Sequence, residues 1–385
     1  MSELQHVVRV TGPDRPGILA GVMAVLSHGG AQVIDIEQIT IRGRLDLNIV
    51  VTSPPGSDML KELLLFGYER QMDVAFELVS DVVPTCTDVV IVTALARELG
   101  PVQLGALAAA IAEWGGNIER ITRLADRPVA SYELTVIGCD VATLRSSLLS
   151  VARSMGIDVA VQLEGLHRRA MRLVVLDVDS TLIQDEVIDL LADEAGCIAE
   201  VAAITERAMN GELDFEASLR ARVALLAGLD AEAIGRVRDR IRYTPGARTF
   251  ISTLQRLGYR TAIVSGGFTQ ITDHLQAELG IDHAHANVLE VVDGRLTGRV
   301  LGEVVDRAGK ARILRSIAEA EGVPLDQVVA IGDGANDLDM LASAGLGVAF
   351  NAKPSVREAA AAAVNVPYLD AVLFLLGVRR DHVVD

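Results

Sequence analysis

Three compact runs of small and branched apolar residues constrain this chain most: Leu173-Val174-Val175-Leu176, Thr261-Ala262-Ile263-Val264 and Val328-Val329-Ala330-Ile331. Each suits a central strand of a parallel sheet, buried on both faces. Polar or glycine residues and then a helical segment follow each run. Repeated strand-to-helix crossovers imply an α/β, doubly wound parallel sheet whose ligands gather at the carboxyl ends of the strands.

Those strand ends carry the chemistry. After the first run stands Asp177-Val178-Asp179-Ser180-Thr181. Two carboxylates two residues apart in a turn can enter one crevice, one attacking an electrophile while the other handles the proton. A lone Asp-x-Asp is more often a turn or a helix cap, so the pair gains meaning only from its company. The second run leads into Ser265-Gly266-Gly267, a hydroxyl and backbone N–H groups at an expected helix start, which could cradle an anion. Lys310 opens another expected helix and offers a positive charge. The third run delivers Gly332-Asp333-Gly334-Ala335-Asn336-Asp337, two more carboxylates and an amide. Carboxylates from separate strands suit an octahedral Mg²⁺.

The front of the chain has a different rhythm, and it occurs twice. A short strand at Val7–Val10, a turn at Thr11–Gly17 and an apolar helix from Ile18 to Ser27 end at Gly29-Gly30. A strand from Val89, a turn at Arg97-Glu98-Leu99-Gly100-Pro101 and a helix from Val102 to Trp114 end at Gly115-Gly116. Alternating segments follow each copy, which predicts two βαββαβ units of ferredoxin-like type. Pro84-Thr85 and His167-Arg168-Arg169 read as linkers. The boundaries expected are 1–83, 84–165 and 166–385, with a helical insert at about 187–243.

Composition narrows the function classes. With 35 Lys plus Arg against 52 Asp plus Glu, the net charge is −17, and no basic run offers a footprint for nucleic acid. Three scattered cysteines, Cys86, Cys139 and Cys197, argue against a disulfide framework. No signal-like start or membrane-length apolar stretch is present, so a cytoplasmic location with no membrane partner is expected.

Asp-x-Asp-x-Thr, then Ser, Lys and Gly-Asp-Gly-x-Asn-Asp, in this order, resembles the haloacid dehalogenase-like phosphohydrolases, over about 215 residues. Glu186, Met209-Asn210-Gly211, Phe215 and Arg222-Val223-Ala224-Leu225-Leu226 bring the resemblance closer to the phosphoserine phosphatases within that group. The resemblance implies that Asp177 is the nucleophile and Asp179 the acid and base. It implies Mg²⁺ held by Asp177, the carbonyl of Asp179 and Asp333, with Asp337 in or near its second layer of ligands. Ser265, Lys310 and Asn336 would hold the phosphoryl group. Glu186 would meet the ammonium and Arg222 the carboxylate of O-phospho-L-serine, with Met209, Phe215, Gly266 and Gly267 around them. The front repeats, with Asp14-Arg15-Pro16-Gly17 at the first turn, resemble ACT domains. That implies sensing of an amino acid, L-serine being the expected effector, or alternatively scaffolding, and a homodimer. Two other functions remain open from sequence: a phosphatase for another small phosphomonoester, and an amino-acid-binding regulator with little catalysis.

Overall fold

The structure is a computed structural model that describes residues 4–54, 56–78, 89–165, 168 and 170–384, the side chains of Leu4 and Met209 excepted. Two compact units emerge, Met1–Thr85 and Cys86–Asp385. Pro84-Thr85, His167 and Arg169, expected to be linker, lie outside the described residues.

The first unit runs β1 (Leu4–Pro13), α1 (Ile18–His28), β2 (Gln32–Ile41), β3 (Arg44–Ser53), α2 (Met59–Arg70) and β4 (Asp73–Leu78). Its antiparallel sheet has the order β2-β3-β1-β4. In β3, Leu45, Leu47, Ile49 and Val51 are buried at every second position, the period that turns one sheet face onto a helical layer. Gly17, at φ 88°, admits the left-handed turn from which α1 starts.

The second unit begins with a repeat of the same order: β5 (Val89–Ala96), α3 (Pro101–Glu113), β6 (Asn117–Ala125), β7 (Ala130–Ile137), α4 (Val141–Met155) and β8 (Asp158–Leu163). It continues through β9 (Leu173–Leu176) to four helices, α5 (Val187–Ala195), α6 (Ile198–Met209), α7 (Phe215–Ala224) and α8 (Glu232–Arg240). These occupy the segment between the first and second predicted parallel strands. Then come α9 (Ala247–Arg256), β10 (Arg260–Phe268), α10 (Thr269–Leu279), the hairpin β11 (His283–Val292) and β12 (Arg295–Leu301), and α11 (Arg307–Ala320). The unit continues with β13 (Val328–Gly332), α12 (Leu338–Ser343), β14 (Leu346–Phe350), α13 (Pro354–Ala359) and β15 (Ala362–Val364), and short helical turns, among them Val372–Leu375, follow.

All strands of this unit form one sheet, β12-β11-β10-β9-β13-β14-β15-β8-β5-β7-β6. The join between repeat and parallel sheet is the antiparallel pair Ala362 and Ala160. Arg168, read as linker because it is polar, is instead tied to Glu133 and Glu164 beside the last turns of the chain. Two carboxylates from the repeat pair with a guanidinium that the sequence pattern assigned to water. Among the described residues no helix is long and apolar enough to cross a membrane.

Register places the site. Leu176 of β9 pairs with Ile263 of β10 on one side and Ile331 of β13 on the other, all parallel. The residues that follow these three positions therefore leave the sheet at the same edge, where strand order reverses around β9.

Candidate active site

Asp177 follows β9 directly and caps a single wide turn, Val178–Leu182. Its Oδ1 accepts the Val178 N–H at 2.7 Å and lies 2.7 Å from Lys310 Nζ. Among the described residues, Oδ2 takes no protein hydrogen bond, so one oxygen is anchored and the other is left available. Ser180 sits at φ 57°, a conformation that costs a non-glycine residue energy. That twist accompanies two contacts: Ser180 Oγ donates to Glu186 Oε1 at 2.8 Å, and Asp179 Oδ1 accepts the N–H of Val187 at 3.0 Å. Asp179 and Glu186 are thereby held at the start of α5.

Ser265 follows Val264 in β10. Its hydroxyl lies 3.4 Å from Asp179 Oδ2 and accepts the N–H of Gly267 at 2.8 Å. This corrects two expectations. The strand does not end in Ser265-Gly266-Gly267 with a helix starting there but runs on to Phe268, because β11 pairs with it again at Asn287, and the helix starts at Thr269. The Gly267 N–H, expected free for an anion, is taken by the Ser265 hydroxyl. A Cβ at Gly267 would stand 3.0 Å from both Asp179 Oδ2 and Ser265 Oγ, so glycine keeps this corner open.

Past β13, Thr181 Oγ1 donates to Asp333 Oδ1 at 3.1 Å, and Gly334 N–H donates to Asp337 Oδ2 at 2.9 Å. A Cβ at Gly332 would lie 2.5 Å from the Asp337 carboxyl, so only glycine lets that side chain fold back under the strand. Asp337 Oδ1 receives Lys310 Nζ at 2.7 Å. Lys310, in the first turn of α11, is wholly buried, and its two carboxylate neighbours explain how a charged amine is tolerated there.

Asp177, Asp333 and Asp337 each offer an oxygen, and these oxygens lie within 4.8 Å of one another. Such a set, balanced by a single lysine, is short of positive charge. Burial, and then the Asp337 charge, push Asp177 well above the usual carboxylate range despite Lys310. The same two causes raise Asp333 to about 6. Burial, and then Glu186, raise Asp179 to about 7. Burial raises Glu186 as well and lowers Arg222. Lys310 titrates above its ordinary value because its two carboxylates outweigh its burial. Crowded, desolvated oxygens of this kind fit a hard divalent cation, which would relieve the repulsion that raises them.

Above the carboxylates opens a cavity of about 420 Å³. Asp177, Asp179, Glu186, Phe215, Arg222, Gly266, Gly267, Asp333 and Asn336, all singled out from sequence, line it. Ser265, Lys310 and Asp337 lie buried beneath as supports. Met209 ends α6, and its side chain lies outside the described residues. Sequence reasoning missed Thr205 and Ser218 in the lining, and it missed Asn287. Buried Asn287 donates to the Gly266 carbonyl at 2.8 Å and accepts the Val305 N–H at 2.8 Å, so it positions the glycine wall. No local signal marks it, since its role depends on the pairing of β10 with β11.

Comparison with known proteins identifies related sequences and structures. Residues 174–342 match the haloacid dehalogenase-like hydrolases, and residues 5–77 and 86–162 each match an ACT domain family. The chain is 57% identical over 381 residues to a phosphoserine phosphatase of Streptomyces coelicolor, covering 98% of this chain and 93% of that protein. A crystal structure of a probable phosphoserine phosphatase from Vibrio cholerae aligns with a TM-score of 0.60 at 35% identity, over 79% of this chain and 90% of that one. A phospho-aspartyl intermediate analogue of phosphoserine phosphatase aligns with a TM-score of 0.50 at 46% identity, over 53% of this chain and 97% of that one.

Proposed function

Because the chain belongs to the phosphoserine phosphatases of the haloacid dehalogenase-like hydrolases, with two ACT domains ahead of the hydrolase domain, we propose that it hydrolyses O-phospho-L-serine to L-serine and phosphate through an aspartyl-phosphate. The observation that carries this reading is one cavity that holds an anchored aspartate with a spare oxygen, a second aspartate 3.4 Å from Ser265, and a carboxylate and a guanidinium toward the cap.

In the proposed course, Asp177 Oδ2 attacks phosphorus as the bond from phosphorus to the serine oxygen breaks. Asp179 gives its proton to that departing oxygen. Asp179 then takes a proton from water as the water oxygen attacks the phosphorus of the aspartyl-phosphate, which releases phosphate and restores Asp177. Lys310, Ser265 and Asn336 offset charge on the phosphoryl oxygens, where this class of reaction concentrates it. Mg²⁺ suits the donors of Asp177, the Asp179 carbonyl, Asp333 and nearby Asp337, and when bound it supplies further charge compensation. Glu186 takes the ammonium and Arg222 the carboxylate, with Phe215, Met209, Gly266 and Gly267 enclosing the rest. Helices α5 to α8 form the cap that excludes water.

For the first unit we infer a serine site at the Asp14-Arg15-Pro16-Gly17 turn. A cavity of about 350 Å³ lies there, and Thr40 Oγ1 donates to Asp14 Oδ2 at 3.3 Å. Feedback inhibition by the product, a symmetric homodimer, a place as the last step of serine synthesis and a cytoplasmic location belong to the same proposal. Exposed Val33, Ile34, Ile36, Ile39 and Ile41 on edge strand β2 support the dimer.

The deciding experiment measures Mg²⁺-dependent phosphate release from phosphoserine and from its des-amino and des-carboxy analogues. Loss of either group should cost at least about tenfold in kcat/KM, because a buried charge is left without its partner. Equal rates on all three would assign another phosphomonoester. Equal rates for wild type and Asp177→Asn would leave only a binding protein. Light scattering tests the dimer.

A further inference from the structure

The second unit has a cavity apart from the catalytic one. About 600 Å³ opens between the second repeat and the parallel sheet, near the Ala160–Ala362 join. This lies within the range of small-molecule sites. One wall comes from the end of β5, the C-terminal half of α4 and the start of β8. The other comes from α13 and from Ala363 to Pro367. Arg153 of α4 and Glu358 of α13 pair across the two walls at 2.9 Å.

Its chemistry is specific. Three arginines (Arg97, Arg153, Arg357) and three carboxylates (Glu98, Asp158, Glu358) line it, so the lining is balanced in charge. Arg153 and Glu358 satisfy each other, and both oxygens of Asp158 accept from Asn365. Arg357 reaches Asn365 Oδ1 at 3.2 Å through one N–H, leaving the remainder of its fork. Arg97 and Glu98 have no hydrogen-bond or ion-pair partner among the described residues. Leu149, Met155, Val159 and Val366 supply an apolar surface beside these charges. A phosphate dianion would meet three carboxylates here, and a purely apolar guest would leave the unpartnered Arg97 and Glu98 at the exposed rim unused. A molecule with one charge of each sign and an apolar body satisfies both.

We propose that this seam is a second small-molecule site, one that takes an apolar α-amino acid: carboxylate toward Arg97 and Arg357, ammonium toward Glu98, side chain against Leu149, Met155 and Val366. It is separate from the serine site inferred for the first repeat, and half of its wall belongs to the catalytic sheet.

Calorimetric titration of the full-length protein with L-leucine, 4-methyl-2-oxopentanoate and 3-methylbutylamine tests it. L-leucine should bind saturably, and the analogues lacking the ammonium or the carboxylate should bind at least about tenfold more weakly. Arg97→Ala, at the exposed rim, should weaken L-leucine by about tenfold with phosphoserine turnover unchanged, and Ala152→Phe should fill the space and abolish binding. Gly17→Val, in the first repeat, should leave L-leucine binding intact even where it removes serine binding. The proposal falls if L-leucine gives no saturable signal up to about 10 mM. It falls equally if binding survives in Arg97→Ala and Ala152→Phe, or if serine displaces it and Gly17→Val removes it.

Discussion

Among the described residues the sheet of the first repeat ends at β2 and β4, and β2 is exposed along its whole length. In the second repeat the strand order is the same, but β8 has β15 beside it, and the sheet runs on into the catalytic strands. Their first turns differ too: Asp14-Arg15-Pro16-Gly17 in one, Arg97-Glu98-Leu99-Gly100-Pro101 in the other. One fold thus serves two ends. A copy with open edges and its own cavity suits a sensor and a pairing surface. A copy with a covered edge has become part of the wall of the enzyme.

The sharpest test of that division is Asp177→Asn. It should lower phosphate release on the order of 10⁴-fold, while calorimetric serine binding by the first repeat stays as in wild type. Loss of both together would break the division.

Next in size is the cost of a charge at two sheet edges, one covered and one open. Ala160→Asp buries a carboxylate at the covered join and should destabilise the second unit by about 3 kcal/mol or more in urea unfolding. Ile39→Asp, on the exposed edge of β2, should cost under about 0.5 kcal/mol within the protomer, its larger effect falling on the proposed dimer, where light scattering reads it. Similar costs would mean that the join contributes little.

Starting the chain at residue 86 should leave turnover within about twofold and erase serine inhibition, a coupling that typically amounts to about 1–3 kcal/mol. Inhibition that persists would move the effector site into the second unit.

The smallest effect concerns pH. Burial holds the Asp158 carboxyl above its ordinary range, and its bonds from Asn365 offset this only in part. A carboxyl whose pKa rises on folding contributes stability fully present below its unfolded value, roughly 3.9, and lost as pH rises through the higher folded value. The stability of Asp158→Asn relative to wild type should therefore improve as thermal unfolding is moved from about pH 4 to pH 8. An opposite trend would show that Asn365 holds the ionised form at the join.

Much of the site was legible because its residues sit at strand ends. Asp177, Ser265 and Asp333 each follow an apolar run, and a parallel sheet carries such positions to one edge. Arg222 and Glu186 needed the spacing of the family pattern, since a helical arginine and a helix-start glutamate are ordinary by themselves. Asn287 and Ser218 were illegible, because a buried amide and a buried hydroxyl acquire meaning only from neighbours far away in the chain. The Gly267 N–H was misjudged for the same reason: its partner is decided by a local fold-back, not by residue type.

The sequence by itself determined the two repeated βαββαβ units, the parallel strands and the convergence of four aspartates, since side-chain period and strand polarity are local properties that survive without tertiary knowledge. Only the tertiary structure decided that the second repeat shares a sheet with the catalytic strands and encloses a charge-balanced cavity there. Backbone N–H and C=O groups at a sheet edge accept any strand of suitable geometry, so their choice of partner is written in the packing of the whole chain and not in the residues of the edge.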